Sequence, residues 1–275
     1  MHQSAGSAPY LLGQTSAEHA RLIRQATIFD PLTERLFRDA GIGPGQRVLD
    51  VGSGVGDVAI LAARLVGPSG EVVGVEREPA TVATARARVA EAGLANVRFL
   101  ESDVREVVSS QRFDALVGRA ILSYLPDAIA VFGSLAALVR PDGVFAFQDV
   151  WPASLLQMTA YLPLRAKCGS LVYRVFERSG AVMDIERVLY RAFQDVGLPA
   201  PNMRIEVPVG DHANVVQWLP DLLLTVASRL DERQLADTGV GDLDTLRSRL
   251  EEERLSAKSF AATIGLVGAW ARKPG

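Results

Sequence analysis

Two hydrophobic periods alternate along the chain. Short apolar runs at Arg47–Val51, Glu71–Glu76, 97–100, 113–118 and 144–150 have the length and β-branched content of buried strands. Each of the first four is followed by a segment that returns the chain towards the next run, and helical patterning is clear at Asp57–Val66, 80–93 and 128–139. Five strands joined in this way predict an α/β fold on a parallel sheet. The stops are explicit: Gly41-Ile42-Gly43-Pro44-Gly45, Gly67-Pro68-Ser69-Gly70 and Arg140-Pro141-Asp142-Gly143 all break a pattern. Before the first strand, helical patterning begins near Ser16 and is expected to break at Pro31, giving a second helix at 31–40. After 150 the pattern changes. The stretch 151–176 is apolar and aromatic and fits one or two helices, 184–196 reads as a helix, and 203–207 alternates as a strand. Helices at 214–230 and 242–255 and a final strand at 261–270 complete the chain.

The first strand carries the densest chemistry. Asp50 is an acid inside an apolar run, and a buried carboxylate needs a partner. It leads into Gly52-Ser53-Gly54-Val55-Gly56, glycines that allow positive φ and let a ligand approach the main chain. The following helix offers unpaired N–H groups and the positive end of its dipole. A dinucleotide fingerprint started at Gly52 needs glycine at 57, and the sequence has Asp57. An acid two residues before the first glycine suits a cation better than a pyrophosphate.

Asp50 to Gly56 resembles motif I of class I S-adenosylmethionine-dependent methyltransferases. The resemblance extends over 46–150. Glu76, which closes the second strand, looks like the carboxylate that accepts both ribose hydroxyls, and a carboxylate has two oxygens to offer. Glu101-Ser102-Asp103-Val104 resembles the adenine site, with Asp103 accepting from the amino group and the backbone of Val104 meeting the ring; capping of a following helix by Ser102 or Asp103 is compatible with that role. Arg119 to Asp127 looks like the motif IV region, where Arg119 either pairs with the methionine carboxylate or with a neighbouring acid. The implied cofactor set is Asp50, Gly52, Ser53, Gly54, Gly56, Glu76, Arg77, Ser102, Asp103, Val104 and Arg119, and the implied cofactor is S-adenosylmethionine, or S-adenosylhomocysteine as product. The resemblance also implies a Rossmann-like, mostly parallel seven-stranded sheet with an antiparallel last strand and a helical cap or lid. The division expected is a helical flap over 1–45, a cofactor-binding core over 46–150, and a remainder over 151–275 with cap or lid insertions at 151–180 and 210–256.

Composition narrows the function. The chain has 275 residues, 48% hydrophobic and 22% charged, with a net charge of −3 that gives no electrostatic footprint for nucleic acid. One cysteine, Cys168, excludes an internal disulfide and a cysteine-based zinc site. No apolar run is long enough to span a membrane, and the first residues lack the pattern of a signal peptide, so a cytoplasmic location is expected. Methyl transfer needs a base only if the acceptor must lose a proton. Of the histidines, His2 is expected to be disordered, while His19 and His212 fall in flap and lid; with Tyr124 and Asp149 they are the candidate catalytic residues. No metal set is expected, because Arg119 and Ala120 stand where metal-dependent relatives place acids. Apolar and aromatic residues of 151–176 (Trp151, Met158, Tyr161, Tyr173, Phe176) are expected to line a small-molecule substrate site, or else to pack in the core or between two copies in a homodimer. The expected reaction is metal-independent O- or C-methylation of a small, largely apolar molecule. The alternative is a cyclase or pericyclase that keeps the cofactor on the same fold without methylating.

Overall fold

The computed structural model describes residues 15–227, 230 and 238–275. The expectation for His2, and residues 228–229 and 231–237 of the expected lid, lie outside them. Among the described residues the strands in chain order are β1 Arg47–Val51, β2 Glu71–Glu76, β3 Val97–Glu101, β4 Phe113–Arg119, β5 Val139–Trp151, β6 Asn202–Glu206, β7 Val209–Gly210, β8 Ala261–Ala262 and β9 Gly265–Arg272. The helices are α1 Ser16–Ala40, α2 Asp57–Val66, α3 Pro79–Glu91, α4 Ala128–Ala136, α5 Ser154–Gln157, α6 Pro163–Arg178, α7 Ile185–Asp195, α8 Ala213–Ala227 and α9 Leu246–Ser256.

Seven strands make one sheet in the order β3-β2-β1-β4-β5-β9-β6. β1, β2, β3, β4 and β5 run parallel, and β9 enters antiparallel between β5 and β6. Val48, Leu49 and Val51 are all fully buried, which is what a strand covered on both faces requires. The α1–α3 side is packed by Leu36, Phe37, Val58, Ala59, Val82 and Ala85. The opposite side is packed by α4 and α7 through Phe132, Leu135, Leu189 and Phe193. A third cluster joins Phe29 of α1 to α6, α8 and α9, and reaches the carboxyl end of β5 at Val150.

Two expectations are corrected. α1 is one helix of 25 residues that runs through Pro31. A proline inside a helix costs ~3 kcal/mol or more, but both flanks of this one are anchored: Phe29 and Phe37 are each 1% exposed, and the Thr33 hydroxyl donates to the Phe29 carbonyl and to Gln148 on β5 (3.1 and 2.7 Å). The cap is Thr15, whose side chain accepts from the Glu18 amide. The helix stops at Gly41 in the left-handed region (φ 85°), where the Gly41 and Ile42 amides close back on Arg38 and Phe37. The expected last strand is also split. Ala261–Ala262 leaves the sheet to pair with Val209–Gly210, and the chain joins the sheet only from Gly265, whose amide is taken by the Ser154 hydroxyl at 2.7 Å.

Candidate cofactor site and its neighbours

Parallel pairing brings the carboxyl ends of β1, β2, β3 and β4 side by side. Asp50 sits in register with Gly74 on β2 and Val117 on β4. It is fully buried, and neither of its oxygens has a hydrogen-bond partner of normal geometry among the described residues; the Ser53 hydroxyl three residues on is in the same position. Burial pushes the Asp50 carboxyl well above the usual carboxylate range. The Arg119 guanidinium is the main opposing influence, while Asp57 and Glu76 add to the rise. An unpaired buried acid is costly unless something completes it. Asp50 and Ser53 therefore present an orphaned acceptor set at the start of α2.

The glycine turn is built for close approach. Gly52 has φ 68°, and a Cβ there would fall 2.6 Å from the Ile121 side chain, so the turn passes directly under the loop after β4. Gly54 (φ 51°) is different, because a Cβ there would meet no described atom within 4 Å. Its bareness serves backbone conformation and open space in front of the turn. The turn is tied to β2 twice: the Ser53 amide donates to the Val75 carbonyl at 2.9 Å, and the Gly54 amide donates to Glu76 at 3.2 Å. The other Glu76 oxygen accepts from the amides of Arg77 and Glu78 (2.8 and 3.0 Å). Arg77 itself lies 3.6 Å from Glu78.

On the next strand the Ser102 amide donates to the Glu76 carbonyl at 3.0 Å, which fixes the end of β3 to the end of β2. Asp103 caps the turn Val104–Glu106 through the Arg105 amide. The Arg105 guanidinium also grips both oxygens of Asp103, at 2.9 and 2.7 Å, and this hydrogen bonding takes the carboxyl down to about 2. The side chain of Val104 is buried against the core.

Arg119, at the end of β4, is held by side chains of α1. Its Nη1 donates to Asp30 and to the Thr33 hydroxyl of α1, both at 2.9 Å, and its Nη2 lies 3.9 Å from Asp57. Burial raises the Asp30 carboxyl, and Arg119 opposes the rise. Asp30 and Thr33 carry no local sequence signal for this contact, because α1 lies far from β4 in the chain.

The four candidate catalytic residues stand in different surroundings. His19 places its ring nitrogens 3.3 and 3.2 Å from the hydroxyls of Thr81 and Thr84 on α3. His212 is exposed just before α8. Asp149 is 1% exposed at the end of β5, where it accepts from the Ser123 hydroxyl (2.5 Å) and from the amides of Ile121, Ser123 and Val150. Burial raises its carboxyl, with the Ser123 hydrogen bonds opposing. Asp149 thus holds the loop on which Tyr124 stands, and the Tyr124 ring lies 6.4 Å from that of Phe176 on α6. Of the residues expected to line a substrate site, Phe176 is 3% exposed inside the third cluster, whereas Tyr161 is 62% exposed and bonds Ser259. Among the described residues no group of three or more His, Cys, Asp or Glu is placed to hold a metal ion, and no helix is long and apolar enough to cross a membrane.

Five parallel strands, an antiparallel strand inserted before the edge, and an acid-then-glycine turn leading from β1 into α2 define the class I S-adenosylmethionine-dependent methyltransferase fold. The chain belongs to the methyltransferase-domain family, whose model matches residues 42–183, just over half of its length. It is similar to an arsenite methyltransferase of Halobacterium salinarum, 34% identical over 112 residues, which is 40% of this chain and 29% of that protein. It is similar too to the nocamycin O-methyltransferase of Saccharothrix syringae, 37% identical over 139 residues, 50% of this chain and 49% of that protein. The chain thus spans less than half the length of these two relatives. Among solved structures, the [4+2]-cyclase SpnF superposes with a TM-score of 0.54 at 17% identity, over 98% of this chain and 99% of that one.

Proposed function

We propose that the protein transfers a methyl group from S-adenosylmethionine to oxygen or carbon of a small, largely apolar molecule, without a metal. The orphaned Asp50 carboxylate at the glycine turn carries this reading. A carboxylate buried without a partner suits the cationic ammonium of the cofactor's methionine, and the open space at Gly54 admits its backbone. Glu76 supplies acceptors for the ribose, and Ser102, Asp103 and Val104 border the adenine. Arg77 and Arg119 flank the set. The bound cofactor supplies an electrophilic methyl group on sulfur; the protein supplies alignment and exclusion of water.

The apolar acceptor is supported by what surrounds the loop after β4. Ala120 and Tyr124 pack at the rim of the third cluster, whose nearest members are carbon-rich side chains of α1, α6 and α8. The O-methyltransferase relative points the same way. The arsenite-methylating relative does not, since arsenite is a thiol ligand and Cys168 is fully buried with its thiol pushed up to about 12 by burial.

Incubation with S-adenosylmethionine, a chelator and a panel of phenols, enols and carbon acids tests the reading. S-adenosylhomocysteine is expected to appear with at least one of them. Cofactor binding with no S-adenosylhomocysteine from any acceptor class would move the protein to the non-methylating alternative. With an active acceptor in hand, Tyr124→Phe is expected to lower kcat by roughly 10²-fold, as removal of a positioned proton-handling group does, with S-adenosylhomocysteine affinity unchanged. A kcat equal to wild type removes Tyr124 from the candidate bases.

A further inference from the structure

Four charged side chains from four different elements form a line that ends on the glycine turn. Arg88 of α3 donates through Nη1 to the Val55 carbonyl at 2.6 Å, and the same nitrogen lies 2.6 Å from Asp57 of α2. The other Asp57 oxygen lies 3.9 Å from Arg119 of β4, which in turn holds Asp30 of α1 at 2.9 Å. The signs alternate along the line, and Arg88, Asp57 and Arg119 have side chains only 21%, 11% and 10% exposed. Charges that are this screened from water interact strongly.

We propose that Arg88 is a positioning residue for the cofactor, acting through the Val55 carbonyl and Asp57 and touching no ligand itself. This rests on the cofactor reading above. Val55 stands between Gly54 and Gly56, both at positive φ (51° and 89°), where the missing side chains leave the backbone few restraints of its own. Pinning its carbonyl from α3 removes conformers that would otherwise be lost only on binding. The second contact acts on charge. Asp57 opens α2, where it satisfies the helix dipole, but it also adds negative charge beside Asp50 and competes for Arg119. Arg88 balances Asp57 and leaves Arg119 closer to Asp30 than to Asp57. Nothing local marks the arrangement, since Asp57 and Arg88 stand in different helices separated by β2.

A cavity of about 240 Å³ opens beside Arg88 between α1, α2 and α3. Water can therefore reach the Val55 carbonyl if the guanidinium is removed, and the fold should tolerate the change. Because one nitrogen makes both contacts, lysine can replace arginine in kind if its ammonium reaches.

Calorimetry with S-adenosylhomocysteine on the wild type, Arg88→Ala, Arg88→Lys, Asp57→Asn and the double variant Arg88→Ala/Asp57→Asn tests this, with melting temperatures recorded alongside. Arg88→Ala is expected to bind roughly 5–30-fold more weakly, the range for having to order one backbone residue on binding, while remaining folded. Arg88→Lys should recover a large part of the affinity, and the double variant should lose much less than the product of the two single losses. Should Arg88→Ala fail to fold, Arg88→Gln, which keeps the stem and a donor without the charge, takes its place in the same comparison. Wild-type affinity in a folded Arg88→Ala or Arg88→Gln would overturn the proposal, and so would equal losses in the alanine and lysine variants. No binding by the wild type would overturn the cofactor reading and this inference with it; normal wild-type binding with an indifferent Arg88 overturns this inference alone.

Discussion

Asp50→Asn is expected to raise the melting temperature of the ligand-free protein and, in the same molecule, to weaken S-adenosylmethionine binding by roughly 10–150-fold. The first effect follows from burial. Asp50 is fully buried with no hydrogen-bond partner of normal geometry among the described residues, and burial holds its carboxyl well above the usual range. An acid whose pKa is higher folded than unfolded binds its proton more tightly in the native state. Its ionisation therefore costs stability from about pH 4 upwards, as the unfolded chain releases the proton first. Asparagine has nearly the same shape and no charge to desolvate. Each kcal/mol relieved should add about 2–4 °C. The gain should be present at pH 7 and shrink towards zero below pH 4. The second effect follows from charge pairing: the ammonium loses its counter-charge, and a charge-assisted contact is worth ~1.5–3 kcal/mol. Thermal scans at pH 4 and pH 7 with calorimetry on the same samples check both. A variant less stable than wild type at pH 7, or one that binds the cofactor as well as wild type, would show that Asp50 already has its partner inside the protein.

Glu76→Ala is the second large effect. Its carboxylate accepts from the amides of Gly54, Arg77 and Glu78, so it braces the glycine turn in addition to the ribose contact proposed for it. Losing it should weaken S-adenosylhomocysteine by ~1.5–3 kcal/mol for the charged contact alone, with a further loss because the Gly54 amide is released. Glu76→Gln keeps one acceptor oxygen and should fall between alanine and wild type. Unchanged affinity in Glu76→Ala removes the ribose assignment, and tighter binding of NAD than of S-adenosylhomocysteine by the wild type would remove the cofactor class.

Local period and turn chemistry govern the part of this fold that can be read along the chain. Strands β1 and β2 and helix α2 fall where the apolar runs place them, because a run buried on both faces has few other uses. The acid before the glycines, the glycine spacing and the acid closing β2 were all legible, since each depends on residues within a few positions of one another. What those groups touch depends on how distant elements pack. Pro31 predicts a break, yet packing of Phe29 and Phe37 and the Thr33–Gln148 contact carry α1 straight through it. Arg119 could have faced the ligand or an acid, and the crossing of α1 over the end of β4 gives it Asp30. His19 offered itself as a base, but α3 supplies Thr81 and Thr84 to its ring. Arg88 gave no signal, although it reaches the turn that the sequence singled out first. The division has one physical cause. Propensity and periodicity act over a single turn of helix or a few strand residues, whereas the partner of a charged side chain is fixed by which distant elements the core packs beside it.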